Sequence, residues 1–492
     1  ETLRRLHPRY ESAVMAFVRE DPAQAYRMAI DAARIVKAGL PVVLAVLHDR
    51  AGGTLRHVRE LAQHMSTQAT FLTLTPAPDR CVSMQMAGES EGFQLIFRIA
   101  DQYPDLVQVL GQLGVRHIHY HHLLGHDPVI TDLPNQLGTT YDFTAHDYYS
   151  YCTHISLTGS DNRYAAEPHP GECACCSPHD PAPAGTGTVA DWRHRNRHFL
   201  TAARLVITPS HDTARRIAAF APGARVHAVP HTDIATSVAM PMPTPAPLPR
   251  LAGAPLKIAV LGALSAIKGA DLLEAVALEA AKRKAPFDFH LLGYGYRHLQ
   301  TQPRTHLTVH GAYEEKDLPD LLQWLQPDVV WFPALWPETY SYTLSAALQA
   351  GLPVVVPDIG AFAERVAGRP WSWVCPWGQD EKAWARFFTT LHAEHFSPYA
   401  APSLRAASSL RVPSWDYRSD YLNGIAPAKS AYIAPPDAAA LANYRAKLTS
   451  AQGARSGVLS ALVYLRSSPA LRGVARAIPA RWQRRIKNWL RG

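Results

Sequence analysis

At 492 residues, with 47% apolar and 18% charged side chains, the chain has an ordinary globular composition and is too long for a single core, so two domains with extras are expected. No run of about 20 apolar residues occurs, so no transmembrane helix is expected, and the opening ETLRRLHPRYESAVMAF lacks a signal-peptide core. Six cysteines are too few for a disulfide scaffold of this size and point to a reducing cytoplasm.

The net charge of +8 is unevenly spread. Residues 438–492 hold 11 Lys and Arg and no Asp or Glu; taking these from the total leaves −3 for everything before them. The basicity belongs to a tail and not to the body of the protein.

In chain order, residues 1–40 read as a helical N-terminal extension. Pro41–Leu47 reads as a buried strand that enters HDRAGGTLRHVRELAQHM, a glycine turn followed by a helix. Val115–Tyr120, Leu137–Ala145 and Arg204–Pro209 read as further strands, the last followed by a helix over Asp212–Phe220. Pro241, Pro243, Pro245, Pro247, Pro249 and Pro255 mark 239–255 as a linker. A second set of strands follows: Lys257–Gly262, Phe287–Gly293, Leu307–Gly311, Val329–Phe332 and Val354–Pro357. Strands alternating with helices predict parallel sheets. The expected fold is therefore α/β, with two Rossmann-like domains (41–238 and 256–400) facing a cleft, then an irregular cross-over segment (401–437) and the tail (438–492). In such sheets ligands gather at the carboxyl ends of the strands.

The most informative stretch is WPETYSYTLSAALQAGLPVVVP, from Trp336 to Pro357. A strand-like run (Asp328–Phe332) leads to Glu338, a small turn, a helix over Leu344–Ala350, a Gly351 C-cap and a second strand. Such a turn offers backbone N–H groups at a helix start, a place for phosphate oxygens, with Glu338 beside it to accept bonds from sugar hydroxyls.

This stretch resembles the donor-sugar signature of retaining glycosyltransferases of the GT-B fold, the large family 4-like bacterial polysaccharide type, whose pattern is Glu, seven residues, Glu. Position 346 is Ala where that pattern has its second Glu. The resemblance extends over most of residues 41–400. It implies that Gly52 and Gly53 approach the donor phosphates, that Thr144, Ala145 and His146 place a histidine near the reacting sugar, and that Lys268 with Gly269 meets the diphosphate. Ala263 stands where the family usually has Arg. The catalytic set it implies is His146, Lys268 and Glu338. The donor set adds Gly52, Gly53, Gly262, Gly293, Tyr313, Tyr340, Ser341, Tyr342 and Thr343. A Lys at a helix start opposes the helix dipole, which argues for a functional Lys268.

Such enzymes imply a nucleotide-sugar donor, a glycan or lipid-linked hydroxyl acceptor in bacterial surface polysaccharide synthesis (lipopolysaccharide or O-antigen), and no catalytic metal. His117, His119, His121, His122 and His126 in HIHYHHLLGH suit either zinc or an acceptor-side wall, and we expect His119 and His121 on the acceptor side. Cys152, with Cys173, Cys175 and Cys176 in HPGECACCSPHD and the flanking His154, His169 and His179, could clip the 150–182 loop with a structural zinc. Cys152, Cys173 and Cys176 are the expected ligands. A subgroup of polysaccharide glycosyltransferases with an HDYY start has a similar Cys pair, and carries a further Cys where this chain has Ala165.

In the tail, Trp482, Ile486, Trp489 and Leu490 fall on one helical face, while Arg481, Arg484, Arg485 and Lys487 lie mainly elsewhere. A basic amphipathic helix suits the surface of an anionic membrane, which predicts a cytoplasmic protein peripheral to the inner face of the membrane. No nucleic-acid motif accompanies the charge; a helix packing back onto the first domain is the other reading. Beside the enzyme reading stand a GT-B-like scaffold that has lost catalysis, favoured by Ala263 and Ala346, and a sugar epimerase.

Overall fold

The computed structural model describes residues 21–50, 52–88, 92–169, 171–183, 187–231, 253–396, 415, 417–425 and 434–444, together with 243, 245 and a few residues before 21. The proline-rich linker, most of the cross-over segment and nearly all of the basic tail lie outside them.

The strands in chain order are β1 (Val42–Val46), β2 (Thr70–Ala77), β3 (Cys81–Met86), β4 (Gln94–Arg98), β5 (Val115–Tyr120), β6 (Thr140–Thr144), β7 (Leu205–Thr208) and β8 (Val226–Ala228). After the linker come β9 (Leu256–Leu264), β10 (Phe287–Gly295), β11 (Leu307–Val309), β12 (Val329–Trp331), β13 (Val354–Pro357) and β14 (Ser372–Cys375). Contacts divide the chain into two compact units, one of residues 1–42, 70–115 and 427–492, the other of 43–69 and 116–426.

The first unit holds the antiparallel hairpins β2–β3 and β3–β4. Alternation puts Leu72, Leu74, Val82, Met84, Leu95 and Phe97 out of water. Helix Gln24–Lys37 buries Ala25, Met28, Ala32 and Ile35, three and four residues apart as one helical face requires. Short helix Ala438–Leu441 packs against it. These hairpins escape the sequence reading, which looked for parallel strands bounded by helices.

The second unit holds both Rossmann-like sheets. In the first the order runs β1-β5-β6-β7-β8, with β5 to β8 pairing in parallel. In the second it runs β11-β10-β9-β12-β13-β14, every neighbouring pair parallel. The second sheet is covered on both faces, and the strand period sorts its residues between two cores. Leu256, Ile258, Val260, Val329, Trp331 and Val355 join one core with helices Ala270–Lys282 and Glu381–His395. Ala259, Leu261, Val330, Val354 and Val356 join the other with helices Leu318–Leu325 and Tyr342–Gln349. Continuous apolar strands of this kind need helices on both sides.

The strands expected after the linker all form, β9 and β10 being longer than expected and β11 and β12 shorter. Before it, the expectation for Leu137–Ala145 needs correction. Leu137 ends helix Leu133–Leu137, Gly138 takes the left-handed C-cap at φ +60°, and the strand starts only at Thr140. Among the described residues no helix is long and apolar enough to cross a membrane.

Candidate functional site

The site grows from strand ends within the second unit. β9 ends near Gly262, and the loop behind it brings Lys268 to the start of helix Ala270–Lys282. β12 leads into the loop that carries Glu338. Lys268 Nζ lies 3.7 Å from Glu338 Oε1, the lysine side chain nearly half exposed and the carboxylate almost buried. Two residue types expected from separate motifs thus meet as one pair.

The Glu338 backbone is held from both sides. Its N–H donates to Trp336 O at 2.9 Å, and its carbonyl accepts from Ala361 N at 2.8 Å. Gly360, at φ +67°, lies so near that a Cβ there would sit 2.5 Å from that carbonyl oxygen.

Beyond Glu338 the chain turns through Tyr340 and Ser341 into helix Tyr342–Gln349. Ser341 takes φ +72°, unusual for a residue with a side chain. Arg365 holds the turn: its guanidinium donates to Tyr340 O and Ser341 O, each at 2.7 Å, and to Ser345 Oγ at 2.6 Å. It also lies 4.1 Å from the centre of the Tyr340 ring. Ser341 Oγ and Thr343 Oγ1 are 3.2 Å apart. The first-turn amides of this helix and the positive end of its dipole lie at this turn.

Gly52 (φ +143°) makes the turn before helix Gly53–His64, a conformation open only to glycine. A Cβ on Gly53 would sit 3.2 Å from the Tyr342 ring. Four residues into the helix, Arg56 lies 4.3 Å from the centre of that ring and pairs with Glu315 at 2.7 Å. Gly262 comes equally close to Thr343, whose Cγ2 would lie 3.3 Å from an added Cβ, while Gly293 packs on Gly262 O with no room for one. Arg56, Tyr313, Tyr342, Thr343 and Ala346 line a cavity of about 680 Å³, a volume suited to a small ligand.

Behind the turn sits a group of histidines. His121 Nδ1 and His146 Nε2 are 3.0 Å apart. The His57 ring centre lies 5.1 Å from that of His146 and 4.1 Å from that of His231. His231 in turn faces Tyr340 at 4.9 Å and stacks on Tyr342 at 5.9 Å. Ligand nitrogens of His57, His121 and His146 all lie within 4.8 Å of one another. Burial pushes the His57 pKa down to about 3, and burial followed by the repulsion of neighbouring imidazoles holds His121, His146 and His231 well below their ordinary value. These rings are neutral at pH 7. Both His57 nitrogens, His121 Nε2, His231 Nδ1 and the Tyr342 and Tyr417 hydroxyls have no hydrogen-bond partner among the described residues. Buried polar atoms left unpaired in this way are costly.

His119 stands one layer back. It is fully buried, and its two nitrogens bond Tyr421 Oη and Thr144 Oγ1, both at 2.8 Å. It supports His121, whose ring lies 4.0 Å away, and has no free edge for an acceptor. His57, His231, Arg56 and Arg365 escaped the sequence reading. Only Arg56 and His57 left a signal, since they lie one turn into a helix opened by Gly52 and Gly53.

Residues 255–394 match the family described as Glycosyl transferases group 1. The second half of the chain carries a group 1 glycosyl transferase domain. The matched stretch contains Lys268, Glu338 and the turn that Arg365 holds. No curated protein matches the sequence. Among solved structures, the sucrose-phosphate synthase of Thermosynechococcus elongatus is similar at 14% identity, covering 72% of this chain and 90% of its own, with a TM-score of 0.46. HepE of Anabaena, solved with UDP-glucose, is similar at 13% identity over 71% of this chain and 89% of its own, with a TM-score of 0.45. The catalytic domain of starch synthase IV from Arabidopsis thaliana, bound to ADP and acarbose, gives 14% identity over 73% and 96%, with a TM-score of 0.42.

Proposed function

We propose that this glycosyltransferase moves a sugar from a nucleoside diphosphate to a hydroxyl of a glycan or lipid-linked acceptor, with retention at the anomeric carbon, in the synthesis of a bacterial surface polysaccharide. The observation that carries the reading is the Lys268–Glu338 pair at 3.7 Å, set at strand ends beside the start of helix Tyr342–Gln349.

Negative charge grows on the leaving diphosphate as the glycosidic bond breaks, and fixed positive groups aimed at it lower the barrier. Lys268 and the first amides of helix Tyr342–Gln349 supply that stabilisation. Glu338, its backbone pinned by Ala361 and packed on Gly360, accepts hydrogen bonds from donor-sugar hydroxyls. The cavity walled by Tyr313, Tyr342 and Ala346 takes the nucleoside. Neutral His146 faces the sugar as a hydrogen-bond partner and adds no charge of its own. The acceptor attacks on the face the diphosphate leaves, and a phosphate oxygen takes its proton, so no carboxylate nucleophile and no metal are required.

The eleven cations of the tail attract an anionic membrane, where a lipid-linked acceptor would reside. On this reading the protein works in the cytoplasm, peripheral to the membrane.

The test is incubation of the purified chain with a panel of nucleotide sugars and lipid-linked acceptors, followed by NMR of the product. An α-configured donor should give an α-linked product, and an inverted product would sink the retaining mechanism. A second reading, a scaffold that has lost catalysis, is favoured by Ala346, which removes a carboxylate from the cavity wall. Thermal shift separates the two: an enzyme is stabilised by one nucleoside diphosphate, a degenerate module by none.

A further inference from the structure

From 145 to 182 the described residues form turns, bends and isolated bridges, with neither helix nor strand. A segment of this length has no backbone ladder to hold its shape. Even so, Tyr148, Tyr151, Cys152 and Leu157 within it are fully buried.

What gathers the segment is sulfur. Cys152 Sγ lies 3.4 Å from Cys175 Sγ and 3.9 Å from Cys176 Sγ, and the last two are 3.8 Å apart. Cys173 joins them, with all four sulfurs inside 4.8 Å of one another. Four thiolates around one zinc at about 2.3 Å stand about 3.8 Å apart by tetrahedral geometry. None of the four is in a disulfide. His154 is turned away, its Nδ1 bonded to Thr158 O at 3.0 Å, so the donor set is sulfur alone. Such a soft set rejects magnesium and calcium.

The surroundings match the negative charge that four thiolates on a divalent ion would leave. The Arg193 guanidinium reaches Cys173 Sγ at 3.0 Å and Tyr151 O at 2.8 Å. Thr153 Oγ1 stands 3.0 Å from Cys176 Sγ. Donors placed on the sulfurs in this way orient ligands and tune their charge.

The segment also reaches the donor loop. Tyr148 Oη donates to Pro337 O at 2.9 Å, Tyr164 N donates to Leu335 O at 2.8 Å, and Thr339 Oγ1 donates to His146 O at 2.6 Å. All three bonds fall within three residues of Glu338.

We propose that Cys152, Cys173, Cys175 and Cys176 hold one zinc ion in a tetrathiolate site that fixes the 145–182 segment against the loop carrying Glu338. Cys175, outside the ligand set expected from the sequence, completes the tetrahedron. The metal assignment stands on the sulfur geometry alone, and only the bracing of Glu338 rests on the glycosyl-transfer reading.

Elemental analysis of the full chain, purified without chelator, should give one zinc per chain. Thiol titration in denaturant without reductant should find all six cysteines free once zinc is chelated. Cobalt exchange should give the intense near-ultraviolet absorption of thiolate-to-metal charge transfer. Cys175→Ser and Cys152→Ser should each lower zinc to well under half an equivalent, while Cys81→Ser and Cys375→Ser keep the full equivalent. Should the serine variants fail to fold, the cobalt spectrum of the native chain decides the donor set. Iron in place of zinc, two disulfides, absence of metal, or zinc unchanged in both serine variants would each overturn the proposal. Zinc content is independent of transfer activity, so loss of the glycosyl-transfer reading would leave it standing.

Discussion

Lys268 Nζ lies 3.7 Å from Glu338 Oε1, although 70 residues separate the two in sequence. The pair ties the loop after β9 to the loop between β12 and helix Tyr342–Gln349.

The two halves of this pair have separable effects. Lys268→Ala should lower kcat by about 10²- to 10³-fold, the usual loss when one stabilising group is removed from a leaving charge, with the melting temperature unchanged because the side chain is nearly half exposed. Glu338→Gln should mainly raise the donor KM. Steady-state kinetics checks both, and full activity in Lys268→Ala would remove the lysine from the mechanism.

Ala346 lines the cavity where the family pattern has a glutamate. Ala346→Glu restores an acceptor for ribose hydroxyls. A charged hydrogen bond contributes about 1.5–3 kcal/mol, so the donor KM should fall by about tenfold or more with kcat little changed. Unchanged donor affinity by titration calorimetry would show that the nucleoside sits elsewhere.

Arg365 makes three hydrogen bonds to the turn ahead of helix Tyr342–Gln349 and lies over Tyr340. Arg365→Ala leaves two carbonyls without this donor, at a cost of about 1–3 kcal/mol in stability, and should weaken nucleotide binding in parallel. Arg365→Lys should rescue little, since an ammonium cannot span the three acceptors while stacking. Thermal denaturation with and without nucleotide measures both effects.

Gly360 leaves no room for a side chain against Glu338, and its φ of +67° disfavours one. Gly360→Ala should destabilise the fold by at least about 1 kcal/mol and shift Glu338, raising the donor KM beyond what the stability loss explains. Wild-type kinetics in this variant would show that the loop tolerates displacement.

Acid stability should follow the histidines. His57 is neutral when folded, with its pKa near 3, whereas the unfolded chain takes up that proton below about 6.5. The unfolded state then binds more protons, so this stability is present above about pH 6.5 and declines as pH falls towards 3. From neutral pH to about 5.5, His57 alone removes about 1.4 kcal/mol, and His121, His146 and His231 act in the same direction. Urea denaturation across this range should show the decline, with a shallower slope in His57→Gln. A flat profile would mean that the cluster is hydrated.

The sequence by itself determined the parallel α/β core, because buried parallel strands must be continuously apolar and their helices must follow at fixed distances; β9, β12 and β13 were legible for that reason, and Glu338 through the donor signature that its stretch resembles. It also named Lys268, through the same resemblance, and the cysteines, whose chemistry shows in residue type and local spacing. Only the tertiary structure decided which of them meet. Lys268 reaches Glu338 because β9 and β12 are parallel neighbours, so the loops that follow them leave the same edge of the sheet. Arg365 reaches back to Tyr340 from 25 residues further along the chain, and Cys175 completes a sulfur cluster begun at Cys152. His119, outwardly the same as His121, became a buried support through its bonds to Tyr421 and Thr144. Contacts of this kind depend on how loops fold back across strand ends, and no local periodicity carries that information.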